Sequence, residues 1–431
     1  MRSLLVVLLD GLGDRANAAH GGRTANEAAW TPNLDALAAQ GSSGLLTPLG
    51  PGRAPSSEVA HWAMLGYHPP EFPGRAVLEA LGHGLDVDPG EVMAHAALRP
   101  ADLRDGALWV TGRATPADAE AARALLESLG RVGIGALTLD VHPVGIGEGL
   151  LRITGGAHDG VTDTDPFFRD RYPVLSPRPV VADAAVTARA IELWSRRGVR
   201  ALARHPLNHA RAARGEAPFV VVTLKWWGRL REAPSFRSRH GLHGAIVGAS
   251  PFLAGLASLL GLDFVHIGEG TDPAGDLERR LHLARGLLDA GATFVFCHLK
   301  ATDEAGHTKD PNVKLRTIES LDGPLANLAA RFPDSVICVT GDHATPTSPE
   351  VIHSGDPVPF VVAGPGVRAD RVTRFGEIDC AEGIFGRLTG GDVMPVLLNA
   401  ADRPLFLGSR PTPTPGASGV PLDVELLRLE I

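Results

Sequence analysis

The chain has 431 residues, with 41 Lys and Arg against 49 Asp and Glu, and its formal net charge of −8 excludes a nucleic-acid binder held by bulk positive charge. Hydrophobic residues at 44% and charged residues at 21% are those of a globular protein with a sizeable core and exclude disorder over most of the length. Three cysteines, Cys297, Cys338 and Cys380, odd in number and far apart, offer neither a disulfide framework nor a thiolate metal site, so a reducing cytoplasm is the expected compartment. The length fits two to three domains of about 150 residues each, or one large domain carrying an insertion.

The apolar run Leu4 to Leu9 is too short for a membrane span and has no small-residue cleavage site. Ser3 to Leu9 is therefore predicted to be a strand covered on both faces of a parallel sheet, with Asp10 at its carboxyl end. Elsewhere too no stretch approaches the roughly 18 to 20 apolar residues of a span, and a soluble protein without a membrane partner is expected. Thr31-Pro32 reads as a helix start, ahead of Leu34, Leu37 and Ala38. Thr115-Pro116 opens a helix through Leu129 that Gly130 closes, and Asp183 opens one to Arg197 that Gly198 closes. A helix from Asp272-Pro273 to Ala290 precedes a buried strand, Thr293 to Leu299; a helix from about Asn312 to Arg331 precedes another, Ser335 to Thr340. This alternation predicts an α/β class with a largely parallel sheet. The Pro-rich segment 409–421 is expected to be a surface arm or loop. No internal repeat is present, and only four lysines occur (Lys225, Lys300, Lys309, Lys314), so a lysine beside a motif carries more information than a scattered arginine.

Three apolar runs end in hard ligands. The first delivers Asp10-Gly11-Leu12-Gly13-Asp14, the second Lys300 to His307 with Asp303, and the third Gly341-Asp342-His343 with His353 further on. A buried ionised carboxylate without a partner costs several kcal/mol or more. Several such strand ends on one edge of a parallel sheet are accounted for by a metal site. Singly, each has an ordinary reading: Asp10-Gly11 as a turn, Asp303 and His307 as an i, i+4 surface pair. Together Asp10, Asp303, His307, Asp342, His343 and His353 exceed one tetrahedral site and suit two first-row divalent ions, the arrangement used to clamp both oxygens in phosphoryl transfer. Between the clusters lies Pro55-Ser56-Ser57-Glu58-Val59-Ala60-His61. A serine here is either a nucleophile activated by a cation or part of an ordinary turn.

With Thr31-Pro32-Asn33-Leu34-Asp35, Pro51 to His61, Thr162-Asp163-Thr164-Asp165-Pro166, His298 to His307, Gly341 to Pro346 and His353 to Pro359, the chain resembles the alkaline phosphatase superfamily and, within it, the archaeal-type cofactor-independent phosphoglycerate mutases. The matches keep their order over nearly the whole length. The resemblance implies a phosphatase-like core with a largely parallel sheet, residues 1–85 and 216–431, interrupted by a smaller α/β domain, 86–215, that closes over the substrate. It implies one divalent ion (Mn, Zn, Mg or Co) on Asp303, His307 and His353, and a second on Asp10, Asp342 and His343 with the nucleophile, which falls on Ser57. The implied reaction is an intramolecular phosphoryl shift on a small phosphorylated acid through a phosphoserine. Lys300, Lys225 and Arg152 are candidates for holding the substrate, Lys300 also for acting in the chemistry, and Asp163 or Asp165 for moving the proton.

Three departures fall near the expected substrate pocket. The family's Gly-Ser-Asp is Ser56-Ser57-Glu58, its Leu-Arg-Gly is Leu224-Lys225-Trp226-Trp227-Gly228, and its Pro-His is Pro166-Phe167. The alternatives therefore stay open: a metal-dependent phosphohydrolase, or a mutase of another phosphorylated or phosphonate acid, on the same core. A catalytically silent binding protein that has kept the fold is the third.

Overall fold

The computed structural model describes residues 2–167 and 172–405; the expected arm at 409–421 lies outside the described residues. The chain separates into two units, one formed by Met1–Phe72 and the chain from Ala233 onward, the other by Pro73–Glu232. The first unit begins with β1 (Ser3–Leu9) and β2 (Ser42–Leu46). The second holds β3 (Val92–Arg104), β4 (Ala107–Val110), β5 (Val132–Ile134), β6 (Leu137–Pro143), β7 (Glu148–Thr154) and β8 (Phe219–Arg229). The first resumes with β9 (Gly244–Gly248), β10 (Asp263–His266), β11 (Phe294–Leu299), β12 (Ser335–Thr340), β13 (Val358–Ala363) and β14 (Gly386–Leu388).

The sheet of the first unit has the order β10-β9-β11-β1-β12-β13-β2-β14. Among the described strands only β13 runs against the rest. Its central strands are apolar throughout because both faces are covered. Leu5, Val7, Leu9, Val295, Cys297 and Ile337 share a core with Leu277 and Leu281 of the helix Pro273–Asp289 and with Ile318 and Leu321 of the helix Pro311–Asp322. On the other face Phe296 and His298 meet His61 of the helix Ser57–Met64, which stacks on Phe252 of the helix Pro251–Leu260.

One predicted helix starts where expected but is capped by another residue, and two predicted helix ends differ. Thr31 stands at the N-cap of the helix Pro32–Ala39, but its hydroxyl makes no capping bond; the Asp322 carboxylate accepts from the Asn33 and Leu34 amides instead. The helix Ala185–Ala203 runs through Gly198. A mid-helix glycine costs about 1 kcal/mol, and the extra turns bury Leu202 completely, which stabilises by about 1.5–3 kcal/mol. The predicted helix from Asn312 to Arg331 is three pieces, Pro311–Asp322, a 3-10 turn Gly323–Leu325 and Leu328–Arg331, since Pro324 cannot continue the hydrogen-bond ladder.

The second unit is built differently. β4-β3-β7-β6-β5 and β8 beside β3 pair antiparallel throughout. The helices Ala119–Ser128 and Ala185–Ala203 bury Leu125, Leu126, Ile191 and Trp194 in one core with Ala94, Leu98 and Leu151. The helix Arg75–Gly82 packs Ala76, Val77 and Ala80 on Met93 and Leu150 of the opposite face and so belongs to this unit. Among the described residues no helix is long and apolar enough to cross a membrane.

Candidate metal centre

β1 lies between β11 and β12, parallel to both, with Leu9 opposite Leu299 and Leu8 opposite Thr340. The residues that follow these strands, Asp10, Lys300 and Gly341-Asp342-His343, therefore emerge side by side. β13 runs the other way, with Phe360 opposite Thr340, so the loop leading into it brings His353 to the same edge. Gly11 makes the crowding possible: its φ is +66°, and a Cβ there would stand 2.5 Å from Thr345 Oγ1 and 2.8 Å from Asp303 Cα.

Asp10 Oδ1 lies 3.4 Å from His343 Nε2, which is also 3.4 Å from Asp342 Oδ2. Ser57, the first residue of its helix, places Oγ 3.0 Å from His343 Nε2 and 3.5 Å from Asp10 Oδ1. In a second group, Asp303 Oδ1 is 3.2 Å from His307 Nε2 and 3.5 Å from His353 Nε2. The groups adjoin, because the His343 and His353 rings stack with centroids 3.8 Å apart. Asp10, Asp303, Asp342 and His343 are buried, while His307 is 40% exposed.

Hydrogen bonds set the protonation states. His343 Nδ1 donates to Thr345 Oγ1 (3.2 Å), which donates to Asp303 Oδ1 (2.6 Å). His353 Nδ1 donates to the Pro55 carbonyl (3.0 Å). Both imidazoles thus turn Nε2 toward carboxylate oxygens; at His353 burial lowers the pKa, but Asp303 and the Pro55 carbonyl outweigh it and raise it above the ordinary value. Burial lowers the His343 pKa and keeps the ring neutral. Burial pushes Asp10 and Asp303 upward, but Lys300 and His298 at Asp10, and His307, His353 and Lys300 at Asp303, outweigh it and hold both well below the usual carboxylate range. Ionised carboxylates, a neutral His343 and a His353 that gives up its Nε2 proton to a cation are the states that ligate divalent ions. Asp342 Oδ2 and His353 Nε2 are buried without any hydrogen bond, atoms that a cation satisfies. The donor set fits divalent metal binding, and Asp303, His343 and His353, and Asp10, Asp342 and His343, each present ligand atoms within 4.8 Å of one another.

Lys300 bridges the two groups, with Nζ 2.8 Å from Asp303 Oδ2 and 3.3 Å from Asp10 Oδ2. Four supporting residues escaped the sequence reading as parts of the centre: Thr302, whose hydroxyl donates to the Asp10 carbonyl (2.5 Å), Thr345, His298 and Lys314. Lys314 is fully buried, and its ammonium donates to the Gly11, Gly13 and Thr345 carbonyls at 2.9, 2.6 and 2.8 Å, tying the loops after β1 and β12 together. Burial lowers its pKa to about 8. The scarcity of lysine was the one signal that could have marked it.

The other predicted site residues belong to the second unit. Lys225 lies on β8 opposite His95, 4.0 Å over the Trp226 ring. The β3–β8 register shifts between Met93 and His95, and Trp226 takes a φ of +61° in this bulge. The Trp226 amide donates to Asp163 Oδ1 (3.1 Å). Burial raises the Asp163 pKa to about 6. Asp165 accepts from Thr223 Oγ1 (2.8 Å) and the Phe167 amide (2.9 Å); burial raises it, but Lys225 and these bonds leave it below the ordinary value. Arg152, on β7, turns to Asp86, donating to its carbonyl (2.6 Å), with Nε 3.5 Å from Glu91.

Residues 2–400 match the Metalloenzyme superfamily. The chain is 34% identical over 428 residues to 2,3-bisphosphoglycerate-independent phosphoglycerate mutase 2 of Methanocaldococcus jannaschii, covering 95% of each chain. It is 36% identical over 415 residues to the 2,3-bisphosphoglycerate-independent phosphoglycerate mutase of Methanopyrus kandleri, covering 93% of this chain and 97% of that one. Among solved structures it is similar to a cofactor-independent phosphoglycerate mutase from Thermoplasma acidophilum, at 30% identity and a TM-score of 0.62, covering 93% of this chain and 100% of the other.

Proposed function

The chain belongs to the 2,3-bisphosphoglycerate-independent phosphoglycerate mutases of the metalloenzyme superfamily, and from this we propose that it interconverts 3-phosphoglycerate and 2-phosphoglycerate through a phosphoserine on Ser57. The observation that carries the proposal is the approach of Asp10 and His343, themselves grouped with Asp342, to Ser57 Oγ at a helix N-terminus, beside the Asp303 group. Two divalent ions, drawn from Mn, Zn, Mg or Co, would be held by Asp303, His307 and His353 and by Asp10, Asp342, His343 and Ser57. When bound they supply positive charge that lowers the serine pKa and neutralises phosphoryl oxygens.

Ser57 Oγ forms its bond to phosphorus as the bond from phosphorus to the substrate oxygen breaks. The N-terminus of the Ser57–Met64 helix, with Ser57 as its first residue, favours the phosphoryl charge, and Lys300 Nζ donates to one of its oxygens. The leaving oxygen takes the proton of Asp163, whose pKa near 6 lets it hold one close to neutrality. Asp165, held ionised, is unsuited to that step. The glycerate turns within a site closed to water, and its other hydroxyl returns a proton to Asp163 as it attacks the phosphoserine, releasing Ser57. Lys225 and Arg152 are assigned to the substrate carboxylate.

Chelator-treated protein resupplied with Mn²⁺ is expected to convert 3-phosphoglycerate to 2-phosphoglycerate in an assay coupled through enolase. Ser57→Ala is expected to lower that rate on the order of 10⁴-fold or more. Free phosphate released without 2-phosphoglycerate would replace the mutase reading with the phosphohydrolase one.

A further inference from the structure

Behind the edge that Asp10 and Asp342 turn toward Ser57 lies a layer of side chains to which the reaction above gives no role. His298, on β11, is 1% exposed, and its Nε2 stands 2.9 Å from Asp10 Oδ2. A carboxylate oxygen only accepts, so this nitrogen carries the proton and donates. Lys300 Nζ reaches the same oxygen at 3.3 Å. Asp10 is thereby divided: Oδ2 is turned back to His298 and Lys300, and Oδ1 faces His343 Nε2 and Ser57 Oγ. His61, fully buried on the Ser57–Met64 helix, closes the layer. Its ring stands edge-on to His298, centroids 5.3 Å apart, and stacks on Phe252 at 5.6 Å. Its Nε2 is 3.0 Å from Asp342 Oδ2, a close approach that is out of line for a hydrogen bond, so both atoms are left without one.

A carboxylate pivots about its Cβ–Cγ bond, and whichever oxygen is tied decides which edge the other presents. We propose that His298 is a positioning residue that fixes the ion-facing edge of Asp10, with His61 as the wall that holds the His298 ring and backs Asp342. The inference rests on the reading of Asp10 as a ligand. Asp10, His61 and His298 also bring ligand atoms within 4.8 Å of one another, as a third ion would need. The proton on His298 Nε2, the ammonium beside the same oxygen and the surrounding Phe252 and Phe296 rings favour positioning instead.

The test is a Mn²⁺ titration of chelator-stripped protein, read by the electron paramagnetic resonance of the free ion, for the wild type, His298→Asn, His298→Gln and His61→Leu. Glutamine carries its donor out to where Nε2 stands, whereas asparagine is too short to reach Asp10 Oδ2. Wild type is expected to bind two ions. His298→Asn is expected to weaken one of them about 10–100-fold, His298→Gln to recover most of the loss, and His61→Leu to weaken the same ion less. Thermal melting of the metal-free variants, unchanged between Asn and Gln, separates this from a folding defect. Equal affinity in wild type, His298→Asn and His298→Gln overturns the positioning role alone, while no binding by the wild type overturns the ligand reading and the inference with it. A third ion in wild type, lost in both His298→Asn and His61→Leu, makes these residues ligands and also overturns it.

Discussion

Each unit of the molecule buries a cluster of carboxylates and histidines, and the two are finished in opposite ways. In the second unit His95 lies between two glutamates, Nδ1 2.7 Å from Glu79 Oε2 and Nε2 2.8 Å from Glu148 Oε2. Arg75 takes the other oxygen of Glu79 and Arg99 that of Glu148, both at 2.9 Å. The chain of charges alternates from end to end, and none of its polar atoms is among the buried ones left without a partner. In the first unit, Asp342 Oδ2 and His353 Nε2 are buried without a hydrogen bond, and Nε2 of both His343 and His353 faces carboxylates. Residue types are shared; satisfaction is not. A closed cluster is a structural element, whereas an open one has room for a ligand.

Substitutions should therefore act in opposite senses on the two clusters. His95→Leu leaves the buried Glu79 and the half-buried Glu148 without their shared cation and is expected to destabilise by about 3 kcal/mol, measured by urea denaturation. In metal-free protein Asp342→Asn removes one of several crowded negative charges while keeping an acceptor for the Gly11 amide (2.9 Å). It is expected to leave stability unchanged or raised, and to abolish binding of one ion. A large loss of metal-free stability from Asp342→Asn would mean that the first cluster is as self-sufficient as the second. A smaller effect comes from each ion by itself. At a free concentration 100 times its Kd, one bound Mn²⁺ is expected to stabilise the protein by about 2.7 kcal/mol. Hydrogen exchange should slow in the loops after β1 and β12 and stay as it was along β3; equal protection of β3 would blur the distinction.

What the sequence made legible follows the same division. The strands β1, β11 and β12 announce themselves as unbroken apolar runs, and the ligands stand directly after them, so residues far apart in the chain could be grouped before their proximity was known. Ser57 needed the family resemblance, since Ser-Ser in a Pro-rich loop has no periodic signal. The closed cluster was invisible: His95, Glu79 and Glu148 lie on three elements, and their pairing depends on an antiparallel register that no local pattern encodes. Gly198 shows the converse limit. A local stop signal was overridden by Leu202, whose burial is decided by a core assembled from distant residues.

The smallest expected effect is the most specific to the second cluster. His95 faces Glu79 from the Arg75–Gly82 helix, Glu148 from β7 and the Trp226 ring from β8 (4.9 Å), with Arg75 and Arg99 beyond the glutamates. Both ring nitrogens donate to carboxylates, so the imidazole is held as a cation. Burial opposes this, but Glu148 and Glu79 outweigh it and raise the His95 pKa above its ordinary value. Its contribution to stability is therefore fully present below the unfolded value of about 6.5 and is lost as the pH rises through the folded one, a tenfold gain in proton affinity on folding being worth about 1.4 kcal/mol. On the acid side burial raises Glu79, but His95 and Arg75 hold it at about 2, so its contribution is present above about 4.5 and fades as the pH falls toward 2. The gap in urea stability between wild type and His95→Gln should thus be widest at about pH 5–6 and narrow at about pH 9. A gap of constant size across that range would show that His95 is neutral, and would remove the charge alternation that sets this cluster apart from the open one.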